Sequence, residues 1–305
     1  MVDLLIVGGG PGGVAAGVYA ARKKIKSVLI TESFGGQSLV SADVQNWIGT
    51  KSVSGFDLGL MLEDHVRAQE GIEVVDGDLV LSVEKIDGGF RATTQNGKIF
   101  ETRYLLVASG SRRKKLNIPG EKELDGKGVA YCSTCDAPLF KDKITAVVGG
   151  GNAGLEAAID LLPYASKVYL LEFTDNLKGD PITQERLRRD PKVEIIFMAQ
   201  AAGVIGDQFV TALAYIDRNT NTSKELKVEG IFVEIGSLPN SDFVKNLVDL
   251  NTIGEIVVDH KTQATSCPGI WAVGDVSDVL YKQNNISAGD AVKAVLNIYE
   301  AINKG

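Results

Sequence analysis

An apolar run, Leu4 to Val7, breaks at Gly8-Gly9-Gly10, continues with small and apolar residues at helical spacing, and ends in a second apolar run closed by Glu32. The stretch "DLLIVGGGPGGVAAGVYAARKKIKSVLITES" therefore predicts strand, glycine loop, helix and strand. The same order returns in "KITAVVGGGNAGLEAAIDLLPYASKVYLLEF". Gly149, Gly151 and Gly154 each lie 141 residues after Gly8, Gly10 and Gly13, and Glu172 lies 140 after Glu32, so one unit is used twice. In the first half, "LVLSVEKIDGGFRATTQNGKIF" alternates apolar and polar positions around Asp87-Gly88 and Asn96-Gly97, which predicts an antiparallel meander. The strand "YLLVASG" (Tyr104 to Gly110) follows. In the second half "VEIIF", "FVTALAYIDRNTNTSKELKV" and "GIFVEIG" (Gly230 to Gly236) repeat that order. A late apolar run, "GIWAVGDVSD", ends at Gly274-Asp275 before a helical stretch and reads as the return that completes the first domain.

The expected architecture is α/β, with two Rossmann-like dinucleotide-binding domains, the second inserted into the first, each with an antiparallel β-meander. The first domain is read as residues 1–115 with 242–305 and the second as 116–241. The segments "RRKKLNIPGE" and "IGSLPNSDF" occupy the two crossings, and two adjacent crossings make a hinge. Each glycine set fits G-x-G-x-x-G after a strand, with an acidic residue about 20 positions on. In such a turn the glycines let a pyrophosphate approach main-chain amides at a helix N-terminus, and the carboxylate accepts from ribose hydroxyls.

A length of 305 residues suits about two domains, and 34 glycines suit a globular α/β protein rich in tight turns. The net charge of −7 argues against a nucleic-acid surface. No uninterrupted apolar stretch of about 18 residues is present, so no membrane span is expected. The first strand begins almost at Met1, so no signal peptide is expected, and three cysteines are not a secreted disulfide framework. The cytoplasm is the expected compartment.

Within "AYCSTCDAPLF", Cys132 and Cys135 are two residues apart and Asp136 follows directly. A zinc site needs further ligands, and the two histidines, His65 and His260, are isolated and distant in sequence, so no metal is expected. A purely structural disulfide is disfavoured in a reducing compartment. The reading that remains is a redox dithiol, because the C-x-x-C spacing lowers thiol pKa in thioredoxin-like sites. Two dinucleotide sites in one chain fit a flavin and a nicotinamide, since a flavin accepts a hydride and passes two electrons to a disulfide.

With these motifs the chain resembles, over its full length, the low-molecular-weight thioredoxin reductases. Gly8 to Gly13, "GGQ" at Gly35, "NWIG" at Asn46, "ASG" at Ala108, "CSTCD" at Cys132, "GGGNAGLEAA" at Gly149, and "AVGD" followed by "YKQ" carry the resemblance. Through "AYCSTCDAPLFKDK" and "LLEF" it is most similar to the flavoprotein component of alkyl hydroperoxide reductase, without that protein's N-terminal thioredoxin-like module. The lipoamide dehydrogenase type is set aside, because "FGGQSLVSAD" contains no cysteine.

The resemblance implies a thioredoxin-disulfide reductase with FAD, a nicotinamide cofactor and a separate thioredoxin or other thioredoxin-fold partner, acting as a homodimer. Hydride would pass to the flavin and electrons on to the Cys132–Cys135 disulfide. Cys135 matches the cysteine facing the flavin, Cys132 the one that attacks the partner, and Asp136 the proton donor or acceptor; the plain alternative for Asp136 is an N-cap or turn. Flavin-contacting positions match Gly8, Gly10, Pro11, Gly13, Glu32, Gly36, Gln37, Asn46, Ala108, Gly110, Gly274, Asp275 and Gln283. Nicotinamide positions match Gly149, Gly151, Asn152, Gly154, Glu172 and Lys178. One dithiol cannot meet flavin and partner together, so the family turns its inserted domain between two orientations.

NADPH-dependent members carry a basic H-R-R-x-x-x-R stretch where this chain has Glu172, Phe173 and Thr174, with Lys178 the remaining cation. Two like charges about 4 Å apart repel by ~4 kcal/mol at an effective dielectric of about 20, so NADH is favoured over NADPH. The alternative for Glu172 is a solvent-facing residue at a vestigial nicotinamide site, with ferredoxin or another carrier as donor. A flavin-bound redox sensor without turnover is the competing function. Cys267 is expected to be a buried apolar residue.

Overall fold

A computed structural model describes residues 1–41 and 44–304. Along the chain, β1 (Val2–Gly9), α1 (Pro11–Arg22), β2 (Ser27–Phe34), α2 (Gly55–Arg67), β3 (Ile72–Val75), β4 (Val80–Ile86), β5 (Gly89–Thr94), β6 (Ile99–Val107) and β7 (Ser111–Arg113) come first. Then follow β8 (Val129–Ala130), α3 (Ser133–Asp136), β9 (Ile144–Val148), α4 (Asn152–Leu161), β10 (Lys167–Leu171), α5 (Pro181–Arg189), β11 (Val193–Ile196), β12 (Ala199–Gly206), β13 (Val210–Asp217), β14 (Thr222–Lys227) and β15 (Gly230–Val233). The remainder holds β16 (Ser237–Pro239), β17 (Val258–Asp259), β18 (Ala264–Thr265), β19 (Ile270–Ala272) and α6 (Asn284–Lys304).

The chain divides into two compact units, Met1–Arg112 with Leu238–Gly305, and Arg113–Ser237. These bounds differ by a few residues from the sequence reading, because the division falls within the short strands β7 and β16 and not beyond them.

In the first unit β3, β2, β1, β6 and β19 run parallel, β17 and β18 extend the sheet antiparallel, and β4–β5–β6 form the meander. Side chains of β1 alternate between two cores: Leu4 and Ile6 join Ala16, Val18 and Ala20 of α1 and Ala291, Ala294 and Val295 of α6, while Leu5 and Val7 join Phe90, Val244 and Ile270 on the other face. A strand buried on both faces has no polar positions to spare, which is why it reads as a continuous apolar run. Pro11 opens α1, where a missing N–H costs nothing. Ser54 caps α2 by accepting from the Asp57 amide at 3.0 Å.

The second unit repeats the plan in the parallel order β11-β10-β9-β15-β8, with β12–β13–β14 as a separate antiparallel sheet. Ala146 and Val148 face the meander, and Val147 faces the helices with Phe232, Leu155 and Phe140. The "VEIIF" run belongs to β11, the outer parallel strand, and not to the meander; "IEVV" (β3) holds the matching place in the first unit. Both units carry the expected two-copy dinucleotide-binding architecture. Among the described residues no helix is long and apolar enough to cross a membrane.

Candidate active site

Within the second unit, β8 pairs with β15 and delivers the chain to Cys132, which has extended backbone (φ −147°, ψ 102°) at the N-cap of α3. Cys132 and Cys135 form a disulfide with their Cα atoms 5.4 Å apart, and both are half-buried. The approach strand is fixed from behind. The Tyr131 hydroxyl donates to Glu121 Oε1 at 3.0 Å, and Glu121 also accepts from the amides of Leu116 (2.9 Å) and Asn117 (2.7 Å). Burial, with Glu121 and Asp125 nearby, holds the Tyr131 phenol above its usual range. On the other side, Phe140 packs edge-to-face on Phe232 with centroids 4.9 Å apart, so the turn is anchored at both ends.

Asp136 makes no side-chain cap hydrogen bond. Its N–H donates to the Cys132 carbonyl at 3.0 Å, and burial pushes its carboxyl up to about 6. Asp136 stands at the N-cap position of the turn Ala137–Phe140 without capping it through its side chain. A buried acid next in sequence to Cys135, raised to about 6, can give and take a proton near neutral pH. Ser133 Oγ donates to Asp160 Oδ2 at 2.8 Å. Among the described residues no group of three or more His, Cys, Asp or Glu could hold a metal ion.

The same unit holds a cavity of about 630 Å³ lined by the loop Gly149–Ala153, by Glu172, Phe173 and Lys178, and by Glu234, Ile235 and Gly236. Gly149 has φ +124°, and a Cβ there would strike the Glu234 carbonyl; a Cβ on Gly154 would strike the carbonyl of Gly149. A Cβ on Gly151 would meet nothing within 4 Å. The three glycines therefore divide the work as turn, opening and helix–strand contact, and the opening is the approach a pyrophosphate needs at the start of α4. Asn152 Oδ1 accepts from the Asp180 amide at 2.7 Å, so this side chain braces the loop. Lys178 donates its N–H to the Gly150 carbonyl at 2.9 Å and lines the cavity.

Glu172 does not point to solvent. It is 7% exposed, and accepts from the Gly150 amide at 2.7 Å, the Thr174 amide at 2.9 Å and Thr174 Oγ1 at 2.7 Å. A carboxylate offers about four acceptor positions, so three donors leave room for one more. Its first task is to hold its own glycine loop. Beside it, the Arg218 guanidinium lies 3.9 Å over the Phe173 ring and donates to the Phe173 carbonyl at 2.8 Å, a cation at this rim absent from the sequence reading.

The first unit repeats the glycine geometry. Gly8 has φ +119° against the Ala108 carbonyl, and a Cβ on Gly13 would strike the Gly8 carbonyl. Gly10 is open on all sides except toward Gly36, whose own Cβ would come 3.5 Å from the Gly10 Cα. Gly110 has nothing within 4 Å of its Cβ position. Pro11 starts the helix behind this cradle. Around it the fold joins positions far apart in sequence: Gln37 Nε2 donates to Asp275 Oδ2 at 3.1 Å and to Ser111 Oγ at 3.2 Å, and Asn46 Nδ2 donates to Gln283 Oε1 at 3.4 Å. Asn285 Nδ2 donates to the Asn46 carbonyl at 2.6 Å. Gly274 takes φ +70° against Ser287 and starts the turn bearing Asp275. An open glycine turn at the start of a twelve-residue helix, ringed by amides, fits a flavin dinucleotide.

Glu32 departs from expectation. Strand pairing matches Val7 with Ile30 and Val148 with Leu171, so the residue equivalent to Glu172 is Thr31, and Glu32 corresponds to Phe173. Thr31 is buried behind Gly9 and donates to the Ser33 carbonyl at 2.6 Å, whereas Glu32 is exposed at the rim. Counting 22 residues from Gly9, as Glu172 lies from Gly150, would have found it. Cys267 is buried against Ile270 and Val258, as expected.

Residues 2–297 match the family model of the pyridine nucleotide-disulphide oxidoreductases. The chain belongs to that family. A Staphylococcus epidermidis protein named as an alkyl hydroperoxide reductase component is 42% identical over 300 residues, covering 98% of this chain and 59% of that protein. A Bacillus subtilis protein named NADH dehydrogenase is 41% identical over 298 residues, covering 98% and 58%. The chain thus spans about three-fifths of the length of these curated relatives. Thioredoxin reductase from Streptococcus pyogenes has the same fold, with a TM-score of 0.91 at 29% identity over 100% of this chain and 99% of that one. Thioredoxin reductase from T. acidophilum gives 0.69 at 34% identity over 99% of each. The resemblance and fold class read from the motifs are borne out, and membership of the pyridine nucleotide-disulphide oxidoreductases implies FAD and a nicotinamide cofactor.

Proposed function

We propose that this chain is a thioredoxin-disulfide reductase that takes electrons from NADH through FAD to the Cys132–Cys135 pair and on to the disulfide of a separate thioredoxin-fold protein. The observation that carries the reading is a disulfide-bonded C-x-x-C, with an acid titrating near neutrality beside it, on the same compact unit as an open glycine-lined cavity. The relatives named for alkyl hydroperoxide reductase and thioredoxin reductase support it.

A nicotinamide and a flavin held in the two cradles would supply hydride and two-electron chemistry to a disulfide. The chain's own residues do the rest. Gly8, Gly10 and Gly13, with Gln37, Asp275, Asn46 and Gln283, would hold the flavin. Gly149, Gly151 and Gly154 admit the nicotinamide dinucleotide, and the charge of Glu172 disfavours a ribose 2′-phosphate. Opening the disulfide takes two electrons and two protons; Asp136 relays a proton to the sulfur that becomes the leaving thiol. Cys132 then attacks the partner disulfide, and Cys135 resolves the mixed disulfide that forms.

The test is in two parts. Flavin bleaching in stopped flow is expected to be fast with NADH and slow with NADPH; fast bleaching by reduced ferredoxin alone would replace the donor. Multiple-turnover reduction of DTNB with added thioredoxin is expected from the wild type and not from Cys132→Ser, while a single equivalent of thiol would make the chain a sensor. A mixed disulfide trapped on Cys132 in Cys135→Ser identifies the partner.

A further inference from the structure

The second unit carries a buried carboxylate at the cavity wall that no step above uses. Glu234 follows β15, is 7% exposed, and borders the cavity at the side opposite Glu172. Phe232, two residues earlier, joins the core against α4, while Ile231 and Val233 face the meander, so Glu234 falls on the α4 side. The groups that face it are Arg113 of β7, whose Nη1 is 3.9 Å from Oε2, the Ser133 amide of α3, and Glu156 and Asp160 of α4. Arg113 stands beyond hydrogen-bond distance of Glu234, Asp160 accepts from Ser133 Oγ, and Lys114 reaches the same wall, its Nζ 3.9 Å from where a Cβ on Gly236 would stand. Burial foremost, opposed by Arg113 and the Ser133 amide and reinforced by Asp160 and Glu156, pushes Glu234 up to about 7.

Sheet order says which half of a dinucleotide meets this wall. The glycine turn follows β9, the central strand of β11-β10-β9-β15-β8. A dinucleotide straddles such a turn, its adenosine ribose on the side of the next strand in sequence, β10, where Glu172 stands. Its other half would then fall on the β15 side. The nicotinamide ring is the part whose charge changes in the reaction, cationic when oxidised and neutral when reduced.

We propose that Glu234 discriminates between redox states of the cofactor: its carboxylate, on the cavity wall beyond β15, binds the oxidised dinucleotide more tightly than the reduced one. The proposal rests on reading the cavity as the nicotinamide site. With the carboxylate ionised the cationic ring is favoured, and with it protonated the preference fades. Discounted for screening by the neighbouring charges, one carboxylate is expected to contribute roughly tenfold, about 1.4 kcal/mol.

The test is calorimetric titration of the flavin-loaded full chain with NAD⁺ and with 1,4,5,6-tetrahydro-NAD, a neutral-ring analogue that cannot donate hydride, from about pH 5.5 to about pH 8.5, a window that brackets the titration of a raised carboxyl. The ratio of the two dissociation constants cancels effects common to both ligands. It is expected to move about tenfold toward NAD⁺ as pH rises in the wild type and to stay flat in Glu234→Gln. A flat ratio in the wild type overturns the inference without any variant having to fold. A ratio that moves equally in Glu234→Gln overturns it in favour of another carboxylate. Absence of binding by either ligand overturns the nicotinamide reading itself.

Discussion

Replacing Asp136 by Asn should make the protein more stable, and only at pH values where the aspartate is charged. Burial raises the Asp136 carboxyl from its ordinary 3.8 to about 6, so the folded state holds the proton more tightly than the unfolded one. The sign follows directly: stability is fully present below the unfolded value and is lost as pH rises through the folded value. About two units at 1.36 kcal/mol each cost about 3 kcal/mol above pH 7. Asparagine is nearly the same size and never ionises. Denaturant unfolding of the two proteins between about pH 4 and about pH 8 should therefore give curves that nearly coincide at the acid end and separate by about 3 kcal/mol at the alkaline end, with the variant above. The same variant should reduce its disulfide more slowly, because the proton it would relay is gone. A separation that does not change with pH, or a variant less stable at pH 8, would refute a desolvated carboxyl beside the sulfurs.

Further outcomes follow from the same geometry. Gly154→Ala, whose Cβ would strike the Gly149 carbonyl, should cost about 3 kcal/mol in unfolding. Gly151→Ala should fold normally in the same assay yet lose about tenfold or more in NADH affinity, since its Cβ occupies only the opening. Glu172→Gln turns one acceptor into a donor among three N–H and O–H groups, so the glycine loop should weaken by about 1–3 kcal/mol while discrimination against NADPH, read as the ratio of kcat/KM values, relaxes by about tenfold. Phe140→Ala removes the partner of Phe232 and should destabilise the inserted unit by about 3–5 kcal/mol, with faster proteolysis in the segment after Cys135 as the readout.

The features legible in the chain are those in which one residue type meets a local steric demand. Gly8 and Gly149 announce themselves because φ near +120° beside a carbonyl leaves no room for a Cβ, and the C-x-x-C is a spacing on one turn. The doubly wound sheet is legible because strands such as β1 and β9 are buried on both faces and cannot alternate. What escapes is set by register and by distance. Counting from the strand end put Glu32 opposite Glu172, and a slip of one position along a strand reverses the face, so Thr31 lay hidden beside it. Glu234 reads as an ordinary break in an apolar strand, since its neighbours Arg113, Ser133 and Asp160 come from three other elements. The pairs Gln37–Asp275 and Asn46–Gln283 close over more than two hundred residues, and only a motif already known to go with them marks the ends.

The interrupted layout of the first unit has a consequence on the ribosome. Strand β6 receives its parallel neighbour β19, and α1 its companion α6, only after residues 113–237 have been translated. Throughout that interval the nascent chain carries a bare strand edge and an uncovered helix flank, while the contiguous stretch behind it already contains every strand of its own sheet. The insert is thus the first part able to close, and the glycine turn of the first unit gains its full surround only when α6 has emerged.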